Sequence, residues 1–191
     1  MNRSTKLFIS GLLAMALLTL SGTAKDKKTR EQYTAMIAVT GGMASGATAL
    51  LDIWIDEFTS DAEVVASATL LKEKGMDALR RDLEKKDFGR ASTRNSGPVP
   101  IAIARSLTNG KNRIIRLFFA RNIGFVETVS LVRSRDYPFS IIELVLDDKG
   151  TGQGTAIGAA QIRYDAKAKQ FVVESLGQGS SAVKLMGVRK L

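Results

Sequence analysis

Asp52, Trp54 and Asp56 occupy alternate positions in TALLDIWIDEF, and two carboxylates flanking an aromatic ring could hydrolyse a sugar or stack on one. The alternation of Leu51, Ile53 and Ile55 with these residues predicts a strand over Thr48 to Phe58, which puts all three functional side chains on one face. Carboxylates four residues apart on a strand stand about 13 Å apart. That is wider than the roughly 5 to 9.5 Å used by glycosidase pairs. Trp54 therefore remains as a candidate contact for a sugar or a cation, and its plainer role is a single aromatic lying under a helix.

A second cluster is Arg133-Ser134-Arg135-Asp136-Tyr137-Pro138-Phe139, followed by Glu143 inside the apolar run SIIELVL. A glutamate in such a run must face solvent or be paired. Arg135 could clamp an anion that Tyr137 or Glu143 orients. The same residues could equally form an ion-paired corner in which Arg135 or Arg163 holds Glu143. Around this cluster runs a basic stretch: Arg105, Lys111, Arg113, Arg116, Arg121, Arg133 and Arg135, opposed by Glu127 alone. Basic strands with interleaved aromatics such as Phe118 and Phe119 bind polyanions, and a solvated face with ordinary salt bridges is the alternative.

Other motifs fail on chemistry. Gly41 to Gly46 has phosphate-loop spacing, but Ala47 stands where the lysine is needed and a strand follows where a helix N-terminus is needed. Gly150-Thr151-Gly152-Gln153-Gly154 lacks the third glycine of a dinucleotide fingerprint. It reads as a turn leading into a strand whose small face (Gly152, Gly154, Ala156, Gly158, Ala160) lets a helix or another backbone approach closely. Ser181 and Lys184 match S-x-x-K, but on a strand residues three apart point to opposite faces. The chain has no histidine and no cysteine. Ser-His-Asp and Cys-His catalysis, His- or Cys-ligated metals, disulfides and a histidine pH switch are all excluded. No cofactor and no metal site are expected, and a catalytic constellation is not apparent. A carboxylate-based hydrolase of envelope polymers, using a pair among Asp52, Asp56, Asp136 and Glu143, is the enzymatic alternative.

The elements that must position these residues are mostly strands. Tyr33 to Val39 reads as the first, and Thr48 to Phe58 as the second. Ser60-Asp61-Ala62-Glu63 is a capping box, and Val64, Ala68 and Leu71 continue a helical stripe to about Lys74. Gly75 ends or kinks it, and Met76, Leu79 and Leu83 mark a second helix to about Lys86. After the polar loop GRASTRNSGPVP, strands follow at Val99 to Thr108, Arg113 to Arg121, Phe139 to Asp147, Thr151 to Tyr164, Phe171 to Leu176 and Val183 to Arg189. Asn109-Gly110 suits a type I′ hairpin between the first pair of these. The expected fold is α+β: a mainly antiparallel β-meander of about eight strands, either a barrel or a strongly curved sheet, with one inserted helical pair.

The N-terminus reads as an export signal. Arg3 and Lys6 precede the apolar run Leu7 to Leu20, and Gly22-Thr23-Ala24 supplies small residues for cleavage. As a helix that run spans about 21 Å, short of the roughly 30 Å hydrocarbon core. Thr23 stands where a lipoprotein carries its acylated cysteine, so the signal is a releasing one. The expected organisation is a signal peptide at 1–24, a charged tail at 25–32 and one α+β domain at 33–191, secreted or periplasmic, with no transmembrane segment after cleavage. The chain carries a net charge of +9, which falls to about +7 without Arg3 and Lys6.

The stretch from the capping box SDAE through Gly75, then RSRDYPF and LDDKGTGQGT, resembles small secreted proteins of soil-type bacteria that carry no assigned activity. The resemblance spans about residues 50 to 190; it implies export and a single domain and supplies no catalytic residue. Together these readings predict an exported, non-catalytic binding or envelope-associated domain. Its contacts would be Arg113, Arg116, Arg121, Arg135, Tyr137, Glu143 and Trp54. The partner would be an anionic small molecule, a lipid surface or a polysaccharide rather than nucleic acid, which export disfavours. A protein–protein assembly factor with a large exposed apolar patch is the remaining alternative.

Overall fold

A computed structural model of the chain describes residues 30–40, 45–94, 96–121, 136–168, 170–175 and 182–191. The expected signal peptide and Arg135 lie outside the described residues.

The described residues form ten strands and one helix. In order they are β1 (Glu31–Thr40), β2 (Thr48–Ile55), α1 (Asp61–Leu83), β3 (Gly89–Thr93), β4 (Val99–Pro100), β5 (Ile103–Asn109), β6 (Asn112–Phe119), β7 (Phe139–Leu146), β8 (Thr151–Asp165), β9 (Gln170–Ser175) and β10 (Ala182–Lys190). All pairings are antiparallel, and the strands make one curled, half-barrel sheet in the order β4-β3-β2-β1-β10-β8-β7-β6-β5, with β9 on the far half of β8. The two ends of this path meet at one point. The Phe88 amide donates to the Ile101 carbonyl, the Ile101 amide to the Gly89 carbonyl, and the Ala102 amide to the Phe118 carbonyl. One short stretch of chain thus bridges the β3 edge and the β6 edge.

The inserted helical pair is corrected by the structure to a single helix. The Ser60 hydroxyl accepts from the Glu63 amide at 3.3 Å and the Glu63 carboxylate accepts from the Ser60 amide at 3.0 Å, so the capping box forms as its spacing dictates. Gly75 adopts φ 78°, ψ −176°, outside helical geometry, and kinks the helix without ending it. The apolar stripe stays in phase across the kink: Val64 and Leu71 before it, Leu79 and Leu83 after it, are all buried. Ser60→Ala is expected to cost about 1 kcal/mol, read as a shift in the chemical-denaturation midpoint.

Strand alternation divides the apolar residues between two clusters on opposite faces of the sheet. Ile37, Leu51, Ile53, Ile115, Leu117, Leu144 and Leu185 fill the concave interior. Ile103, Phe118, Phe139, Ile141 and Ile162 point the other way, where the α1 stripe covers them. The helix therefore lies chiefly against β8 and shares its buried cluster with residues of β5, β6, β7 and β9. No described element packs on the outer face of β3, β2, β1 and β10.

A bulge in β10 decides what its last residues do. Met186 pairs with Met36 and Arg189 with Thr34, so three steps on β10 match two on β1, and the partner register on β8 slips in the same place. Gly187, at φ 58°, takes up the extra residue in the left-handed region that glycine tolerates. Val188 consequently returns to the interior, Arg189 faces outward and Lys190 faces inward.

Candidate functional site

The residues singled out from sequence separate in space. Arg113, expected on a basic surface, turns into one end of the half-barrel. Its Nη1 donates to Glu31 Oε1 at 2.9 Å and its Nε to Ser106 Oγ at 2.8 Å. Its guanidinium carbon stands 5.3 Å from the centroid of the Phe58 ring. Lys190 Nζ donates to the same Glu31 oxygen at 2.8 Å, and the buried Tyr33 hydroxyl donates to Oε2 at 2.8 Å. The result is a buried carboxylate with two cations and a phenol, which joins β1, β6 and β10. Burial by itself would raise the Glu31 pKa. The hydrogen bonds from Arg113, Lys190 and Tyr33, with the charge of Arg113, outweigh it and hold the carboxyl below its ordinary range. Burial and the bond to Glu31 push the Tyr33 phenol well above its ordinary value. This network is a lock on the strand ends. Glu31 belongs to β1, whereas sequence reasoning placed it in a charged tail.

Arg116 and Glu143 face each other across β6 and β7 with Nε to Oε2 at 2.6 Å, so Glu143 is held by Arg116 rather than by Arg163, which pairs with Glu174. Arg105 is engaged by Asp61 and the Thr59 carbonyl. Arg121 follows β6 and Tyr137 precedes β7, at the same end of that strand pair. Tyr137 lies two residues before β7, and Glu143 lies at the fifth position within it. The candidate hydrolytic carboxylates are equally scattered. Asp52 is on β2, Glu143 is on β7, four strand positions away, and Asp56 lies 3.5 Å from Arg30. Among the described residues no group of three or more acidic side chains gathers that could hold a metal ion.

Trp54 leads to the site that sequence reasoning missed. It lies half-buried on the outer face of β2, beyond the reach of α1, with the Arg90 guanidinium carbon 5.0 Å from its ring centroid. On the same face Met36 pairs in register with Leu50 on one side and Met186 on the other. All three are exposed, at 49, 43 and 46 % respectively, and make an apolar row across three adjacent strands. Around the row stand Arg90, Arg94, Lys184 and Arg189, all exposed and without an ion pair among the described residues; Asp52 is the opposing carboxylate. A shallow hollow of about 290 Å³ opens between Met36, Thr48, Ala49, Leu50 and Arg94, apolar on one side and cationic on the other. The cue available in the sequence was parity. Leu50 shares the Asp52 and Trp54 face, and Met36 falls out of step with Ala35, Ile37 and Val39. The basic residues of this face come from β3, the residue that follows it, and β10, so no single run announces them.

No protein-family model, curated protein or solved structure matches this chain.

Proposed function

We propose that the protein is an exported, non-catalytic binding domain that engages an anionic partner through the outer face of β3, β2, β1 and β10. The observation that supports this reading is the charge there. Arg90, Arg94, Lys184 and Arg189 are exposed and without ion pairs among the described residues, against Asp52. By contrast Arg105, Arg113 and Arg116, from the basic stretch of the sequence, spend their charge on Asp61, Glu31 and Glu143. Unpaired cations on one face attract polyanions in a manner that salt weakens. Reversing Arg94, Lys184 and Arg189 to glutamate is expected to weaken binding to an immobilised sulfated polysaccharide more than about tenfold at low salt. Reversing Arg105, Arg116 and Arg163 is expected to leave that binding within about twofold once folding is confirmed. Equal retention of the first variant and wild type would end the reading.

A further inference from the structure

We propose that the anionic partner of this face is a lipid bilayer, onto which the sheet docks flat with Leu50, Met36 and Met186 seated at the acyl boundary. The inference rests on the reading above and adds the apolar centre to it. A soluble polyanion needs cations alone. The face instead places three large apolar side chains, 43 to 49 % exposed, in one row, with the cations outside it. The geometry is that of an interfacial surface: apolar side chains in the middle enter the headgroup layer, and long cationic side chains around them reach lipid phosphates while their stems cover apolar surface. Unbranched methionines suit a fluid, irregular partner better than a fitted one. Trp54, on the same face beside Arg90, sits where an aromatic ring with a polar edge is favoured at a membrane boundary. The hollow beside Arg94 brings a guanidinium next to Met36 and Leu50, the pairing a phosphate headgroup and its first methylenes would meet. No helix among the described residues is long and apolar enough to cross a membrane, so the association proposed is a surface one.

The test uses the full chain with vesicles of phosphatidylglycerol and phosphatidylcholine, vesicles of phosphatidylcholine alone, and a soluble sulfated polysaccharide. Trp54 is the sole tryptophan of the chain, so its emission reports directly on this face. Anionic vesicles are expected to shift the emission to the blue and to bind protein, and neutral vesicles to bind it at least about tenfold more weakly. M36S/L50S/M186S alters exposed side chains, and it is expected to lose at least about tenfold in vesicle affinity while its polysaccharide affinity stays within about twofold. R94E/K184E/R189E is expected to lose both. If the serine variant bound anionic vesicles as wild type does, the lipid proposal would be overturned while the anionic-partner reading stood. If the glutamate variant kept both, both would be overturned. Concentration-dependent dimerisation in sedimentation, abolished in the serine variant and unaffected by vesicles, would assign the face to a second copy and overturn the proposal.

Discussion

Glu31→Ala is expected to lower the free energy of unfolding by about 3 kcal/mol. The reason lies in what remains. Arg113 and Lys190 converge on one Glu31 oxygen, and the Tyr33 hydroxyl on the other. Removing the carboxylate leaves two cations and a buried phenol without their common acceptor. Breaking a fully buried ion pair typically costs 3–5 kcal/mol. The cations here are partly exposed, Arg113 at 33 % and Lys190 at 41 % of their side chains, and water recovers part of that loss. Glu31→Gln keeps the shape and one acceptor oxygen, and is expected to cost roughly half as much. The pH dependence follows with a definite sign. Because the folded carboxyl titrates below the unfolded one, its contribution is fully present above about pH 4.3, the unfolded value, and is lost as pH falls through the lower folded value. Denaturant titrations from pH 6 to pH 2.5 check this: the wild-type curve should fall faster with acid than the Gln variant's, and the two should converge at the acid end.

Gly154→Ala is expected to cost at least about 3 kcal/mol, or to prevent folding outright. A β-carbon at this position would lie 2.4 Å from the Glu143 carbonyl oxygen and 3.0 Å from the Leu144 side chain. The first of these is backbone in the middle of the sheet and cannot swing away. Overpacking that displaces backbone costs typically 1–3 kcal/mol, and a contact this short lies at the severe end. Gly152, with the Val145 carbonyl at 1.9 Å, presents the same obstacle one pleat earlier. Gly46→Ala is the control. Unlike Gly154 it has positive φ, at 89°, and no atom lies within 4 Å of its added carbon, so only the backbone penalty of about 1 kcal/mol applies. Thermal unfolding of the alanine variants at Gly152, Gly154 and Gly46, with circular dichroism to establish the fold, separates the two causes. Equal losses at Gly154 and Gly46 would refute the close-approach argument.

Those glycines also mark how far the sequence could be read. Their spacing predicted a small face open to a helix or another backbone, and the atoms drawn close at Gly152 and Gly154 are carbonyls of the paired strand β7. The alternation in TALLDIWI and the capping box were legible because each is a local device whose physics is contained in a few neighbouring residues; the hairpin expected at Asn109-Gly110 forms one residue later, with Asn109 paired to Asn112 and Gly110-Lys111 as its turn. The helical pair became one kinked helix because a glycine can bend a helix whose apolar stripe remains in phase on both sides. β3 hid inside GRASTRNSGPVP, since its inward residues, Ala91 and Thr93, are small and carry no apolar signal. The site was less legible than the fold. Arg113 and Arg116 look alike in the sequence; the parity of β6 sends the first inward, where Glu31 arrives from 82 residues away, and the second outward to Glu143. Arg189 and Lys190 are harder still, because a single extra residue at Gly187 exchanges their directions and no period predicts it.

β10 is the last of the ten strands in sequence, yet it lies in the middle of the sheet, between β1 and β8. It is the hydrogen-bonded seam between the ribbon β4-β3-β2-β1 and the ribbon β8-β7-β6-β5, which otherwise touch at Ile101 and Ala102. A chain appearing from its N-terminal end can build each ribbon as it emerges, but neither can shut off its open edge until residues 182–190 arrive. The interior core, with Val183, Leu185 and Val188 missing, stays unfinished until then. Such non-local pairing makes final assembly slow and leaves open edges exposed meanwhile. In return, closure waits for β10: the molecule can be threaded or handed on loosely until that strand is inserted, an order of events compatible with the proposed export.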